Sequence, residues 1–186
     1  SLTAAKKAAL KTKVTNFEKV LYGSDKKRDW SNTKADTYAP GDPNDWTTYL
    51  DMNSAVDYYL AREFTKDNDA DFYRSNFFYT NNADPASAVK FFMGPIWDFD
   101  RSAGAATGSS TSIASPTGWW IRGNGSANHN TNKIHWYTRI VKDPRFLNAL
   151  HDRWAAKAAS FDAVSTTGVT DAVTAMGGTT YESGLD

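Results

Sequence analysis

The chain has no cysteine, which excludes disulfide staples, thiolate metal sites and cysteine nucleophiles together. It also has no excess of either charge, because Lys plus Arg and Asp plus Glu both number 21. That balance offers no electrostatic grip on nucleic acid or on an anionic bilayer. No apolar run comes near the roughly 20 residues that a membrane-spanning helix requires. What remains is globular material. Hydrophobic residues make up 40% and aromatics 14% of 186 positions, enough for one domain with a sizeable core. The abundance of Asn, Thr, Ser, Gly and aromatic residues points to an exported, extracytoplasmic protein.

The hydrophobic pattern predicts an amphipathic helix over residues 3–22, with Leu10, Val14, Phe17 and Leu21 at helical spacing and Gly23 placed to end it. Lys6, Lys7, Lys11 and Lys13 read as its solvated face. A polar connection containing Trp30 and Trp46 follows, too long for a simple loop. A second helix is expected from Asp51, a good N-cap, with Val56, Tyr59, Leu60 and Phe64 as its buried stripe. Two β-like runs, Phe77–Thr80 and Val89–Met93, flank Asn81-Asn82-Ala83-Asp84-Pro85 and predict a hairpin. Residues to about 130 are rich in Gly, Ser, Thr and Asn and read as a long loop. The region 131–161 reads as two helical pieces, the later one opened by Asp143-Pro144, an N-cap followed by Pro at the first helical position. Phe146, Leu150, Trp154 and Ala158 then recur every four residues. The fold class is α+β and mostly helical, in one domain-like unit.

Two acidic segments carry the chemical signal. Asp67-Asn68-Asp69-Ala70-Asp71 follows the second helix, with Asn76 a few residues on. The hairpin then returns the chain to Gly94-Pro95-Ile96-Trp97-Asp98-Phe99-Asp100. Phosphoryl transfer by protein kinases uses such a set in this order: an Asp that accepts the substrate hydroxyl proton, then an Asn and a further Asp that hold Mg²⁺. The first segment, read alone, is a solvated turn. It also mimics the start of an EF-hand loop, but Phe72 stands where that loop needs Gly and Phe78 where it needs Glu. His129, His135 and His151 show no metal-ligand spacing with a carboxylate. Trp119-Trp120 reads as a packed loop before it reads as a sugar platform.

The stretch Leu50–Glu63 resembles the helix before the catalytic loop in kinases like spore coat protein H, the CotH-like family. Asp67-Asn68-Asp69 with Ser75-Asn76-Phe77-Phe78-Tyr79 is similar to that loop and its following strand. Gly94-Pro95-Ile96-Trp97-Asp98-Phe99-Asp100, with Gly104 nearby, resembles the family's most specific motif. Asp143-Pro144-Arg145-Phe146 and Arg153-Trp154 match its late helix. The resemblance covers residues 45–160. It implies the large, C-terminal lobe of a protein-kinase-like fold, with a small hairpin carrying the catalytic and metal loops. It further implies a secreted or coat kinase that uses ATP with Mg²⁺ or Mn²⁺ to phosphorylate Ser or Thr of protein substrates. Carried over by position, Asp69 or Asp71 is the catalytic Asp, Asp98 and Asp100 are the metal pair, and Asn76 is the second metal ligand. These groups are expected to line one cleft.

No Gly-rich phosphate-covering loop precedes this set, so the nucleotide-binding small lobe is expected to be absent and these residues alone to be inactive. Two other classes compete with the kinase reading. One is a non-catalytic surface or carbohydrate-associated module, the other a simple divalent-cation-binding domain.

Overall fold

The computed structural model describes residues 3–23, 39, 41–67, 75–81, 90–99, 102, 121 and 135–163. The chain divides into two compact units, Ser1–Leu150 and His151–Asp186.

In the first unit, helix α1 (Ala4–Tyr22) starts where the Thr3 hydroxyl accepts the Lys6 amide at 3.3 Å. It stops at Gly23, whose φ of 73° suits glycine and whose N–H reaches the Lys19 carbonyl at 3.0 Å. Phe17 and Leu21 are fully buried, Val20 nearly so, and Leu10 and Val14 pack on the rim. This is the expected stripe. Lys6, Lys7 and Lys11 are exposed, but Lys13 is not fully solvated. Its ammonium lies 5.2 Å over the Phe91 ring, and burial lowers its pKa. A long alkyl stem lets a lysine cover an aromatic while its head stays near water.

A 3-10 turn, Trp46–Thr48, leads into helix α2 (Met52–Phe64), which Asp51 caps by accepting the Ser54 amide at 2.8 Å. Val56, Tyr59 and Leu60 are buried as expected; Phe64 is 49% exposed. The inward face of the last turns belongs instead to Arg62 and Glu63. Strand β1 (Phe78–Tyr79) pairs antiparallel with β2 (Phe92–Met93), Phe78 opposite Met93 and Tyr79 opposite Phe92. The predicted hairpin is therefore present, although its connecting residues 82–89 lie outside the described set.

Three hydrogen bonds from backbone amides pin the hairpin to the start of α2. Phe91 donates to Tyr49 at 2.7 Å, Asp51 donates to Phe91 at 2.9 Å, and the Met93 amide donates to the Ser54 hydroxyl at 3.2 Å. Helix α3 (Trp136–Ile140) packs on α1, with Trp136 edge-on to Phe17 at 4.8 Å and its indole N–H on Glu18 at 3.0 Å. Tyr59, Tyr137 and Phe146 form an aromatic trio with centroids 5.4 to 6.1 Å apart. The Tyr137 hydroxyl, buried, donates to the Ala55 carbonyl at 2.8 Å. Among the described residues the fold is mostly helical with one small antiparallel sheet, compatible with the α+β class.

Helix α4 (Pro144–Ala163) begins at the predicted Asp143-Pro144, with Asp143 accepting the Arg145 amide at 2.9 Å. Phe146 and Leu150 are buried. Within the second unit the expected stripe does not continue, since Trp154 is 43% exposed. Every fourth residue drifts around a helix of 3.6 residues per turn, so a strict four-residue spacing leaves the inward face within a few turns.

Candidate functional site

The site is built on the last two turns of α2. Tyr58 and Arg62 stand four residues apart and so share a helix face. Arg62 is 0% exposed, and its partners come from three places in the chain. Nη1 pairs with the equally buried Asp67 carboxylate, just past the helix. Nη2 donates to the Ser75 carbonyl, which enters β1, and to the Trp97 carbonyl at 3.2 Å, which leaves β2. The rings of Tyr58 and Phe99 lie 5.1 and 4.9 Å from the guanidinium carbon, within cation–π range.

Antiparallel pairing puts the start of β1 beside the end of β2, and two expected site residues stand there. Asn76 accepts the Tyr58 hydroxyl at Oδ1, 3.0 Å. Burial raises the Tyr58 pKa, against the opposing pull of the Arg62 charge. The phenol keeps its proton and donates. Asp98 is exposed, with its carboxylate Oδ2 accepting the Ser75 hydroxyl at 2.6 Å. Its φ is +66°, and Ser75 next to Asn76 has φ +49°. Two non-glycine residues in the left-handed region, bonded to each other, mark a backbone that its surroundings force into shape. Just before Asp98 the chain turns at Gly94, where φ is +123° and only glycine is comfortable. Just after it, Ser102 bonds back to the Phe99 carbonyl through its amide at 3.1 Å and its hydroxyl at 2.6 Å.

The structure thus brings the Asn76 and Asp98 segments together through Ser75. Asp69, Asp71 and Asp100 lie outside the described residues, as do His129 and Trp119-Trp120. The His151 side chain is 82% exposed, with Nδ1 3.2 Å from the Asp152 carboxylate. Among the described residues no group of three or more His, Asp or Glu gathers to hold a metal ion. The donor chemistry nonetheless suits a hard cation: an amide oxygen on Asn76 and a carboxylate on Asp98 are ligand types that Mg²⁺ and Mn²⁺ accept. Beside this site opens a cleft of roughly 520 Å³, lined by Ser54, Asp57, Tyr58, Tyr79, Met93 and Ile96. Tyr58, Arg62 and Ser75 carried no role in the sequence reading. The available signal was an arginine on the face of α2 that also bears Ala55, Tyr58 and Tyr59.

In this mostly helical chain a small hairpin brings the Asn76 and Asp98 segments together through the Ser75 hydroxyl. The model of the family described as CotH kinase protein matches residues 8–179. The chain belongs to that family, as the Gly94–Asp100 block indicated. No curated protein and no solved structure matches it. Membership makes it kinase-like, and kinase chemistry in general uses ATP and a divalent cation.

Proposed function

We propose that this chain is the large-lobe, metal-holding part of a protein kinase that moves the γ-phosphoryl group of ATP to a Ser or Thr hydroxyl of a protein. The observation that carries this reading is the 2.6 Å bond from Ser75 to Asp98, which joins the Asn76 segment to the Asp98 segment at one end of the hairpin. Asp98, Asp100 and Asn76 would hold Mg²⁺ or Mn²⁺, which neutralises phosphate charge when bound. Asp69 or Asp71 takes the proton from the substrate hydroxyl as its oxygen bonds to phosphorus and the bond to ADP breaks. The protein's own contribution is positioning and electrostatics, which supply nearly all of the catalysis in such transfers. The substrate is a coat or surface protein, met outside the cytoplasm.

A second reading, a surface or carbohydrate-associated module, is favoured by the exposed Trp97 and Tyr79, at 63% and 50%. Labelled ATP and Mg²⁺, supplied to the full-length gene product, separate the two. The kinase reading expects transfer to protein and a fall of about a hundredfold or more in Asp98→Asn, the scale of losing one charge-stabilising group. Transfer unchanged in Asp98→Asn removes the metal assignment, and no transfer at all favours the module.

A further inference from the structure

We propose that Arg62 is the positioning residue of the metal site, with Tyr58 as its companion one helical turn earlier. The inference rests on the functional reading above and adds what holds Asn76 and Asp98 in register. Asn76 follows Ser75, and Asp98 follows Trp97. Both of those preceding carbonyls accept from the same nitrogen, Nη2 of Arg62. The backbone immediately before each donor is therefore fixed to one planar group on a rigid helix. Tyr58, on the same face, fixes the Asn76 side chain itself through Oδ1 at 3.0 Å. The Ser75 hydroxyl closes the circuit on Asp98 at 2.6 Å.

A purely structural pairing of Arg62 with Asp67 accounts for less than is seen. A buried ion pair can be replaced by apolar residues of similar volume without loss of the fold. Nothing in that pair calls for reaching Trp97, or for a ring of Tyr58 and a ring of Phe99 at 5.1 and 4.9 Å. What requires guanidinium is the geometry. Its flat fork offers five fixed donors and serves acceptors in separate directions, whereas a lysine ammonium is a point charge on a flexible stem. One acceptor carbonyl precedes β1 and the other follows β2, so the fork sets the distance between the segments that flank the two strands. It acts on the metal site without touching the cation.

The test uses Mg²⁺ alone as probe, on Arg62→Lys and on the double variant Arg62→Met with Asp67→Leu, which leaves no charge stranded. Both should raise the Mg²⁺ concentration for half-maximal thermal stabilisation at least tenfold. Amide exchange at residues 75–77 and 97–99 should quicken at least tenfold, with α1 unchanged. Variants that respond at the wild-type Mg²⁺ concentration overturn the role of Arg62 while leaving the kinase reading intact. A wild type that ignores Mg²⁺ overturns the functional reading, and the positioning role with it. Should both variants fail to fold, the wild type still decides. Mg²⁺ should slow exchange in the two segments together, and slowing in only one of them contradicts the link.

Discussion

Two arginines in the first compact unit are held by buried carboxylates, and they are held in different ways. Arg145 keeps a quarter of its side chain exposed and faces two acids. Its Nη1 and Nη2 meet the two oxygens of Asp45 at 2.9 Å each, and Nη2 also meets Asp143 at 2.7 Å. Asp143 further accepts the indole N–H of the fully buried Trp46 at 2.7 Å and caps α4. Every acceptor in this cluster is a carboxylate at the end of a regular element, so the cluster fastens the 3-10 turn to the start of α4. Arg62 is wholly buried with one carboxylate, and its remaining acceptors are two carbonyls that flank the hairpin. The first arginine closes the fold. The second ties together the backbone just before Asn76 and just before Asp98.

The largest expected effect lies at the second arginine. Asp67→Asn strands a buried guanidinium and should cost about 3–5 kcal/mol in urea unfolding, while removing both partners together should recover most of that. Next comes Trp46→Phe, which takes the indole donor from buried Asp143; a loss of about 1–3 kcal/mol is expected by the same measurement. Asp45→Asn should cost less, about 1 kcal/mol, because Arg145 is partly solvated and the pair is screened. That variant also has a pH signature. Burial pushes the Asp45 carboxyl up, but the Arg145 and Thr47 hydrogen bonds and the Arg145 charge together hold it below its usual value. A depressed carboxyl gives stability that is present above its unfolded pKa and lost as pH falls through the folded one. Wild-type melting temperature should therefore drop as pH falls below about 4, and less steeply in Asp45→Asn. The smallest effect on stability is expected from Ser75→Ala, about 0.5 kcal/mol for one partly exposed hydrogen bond.

What could be read from the sequence was local chemistry. The start of α2 at Asp51 and that of α4 at Asp143-Pro144 follow from cap residues acting within three positions of themselves. The hairpin strands follow from apolar runs around a turn-rich stretch. Asn76 and Asp98 were singled out by the segments they sit in, and the structure joins those segments through Ser75. Trp46 was not legible as core, since its place depends on Asp143, 97 residues away. Phe64, expected in the buried stripe, is exposed while Arg62 is buried, for a related reason. Arg62 turns inward to the Asp67 carboxylate and two backbone carbonyls, and a helical apolar pattern cannot announce that. Asp69, Asp71 and Asp100 fall outside the described residues, so sequence alone speaks for them.

The most direct measurement is a thermal shift with Mg²⁺ on residues 1–186, comparing wild type, Asp98→Asn and Asp45→Asn. A ligand at ten times its dissociation constant adds about 1.4 kcal/mol, or about 3–6 °C for a chain of this size. That shift is expected in wild type and equally in Asp45→Asn, whose damage is confined to the fastening cluster, and its disappearance in Asp98→Asn is the central expectation. A full shift in Asp98→Asn, or one lost through Asp45→Asn instead, would contradict it.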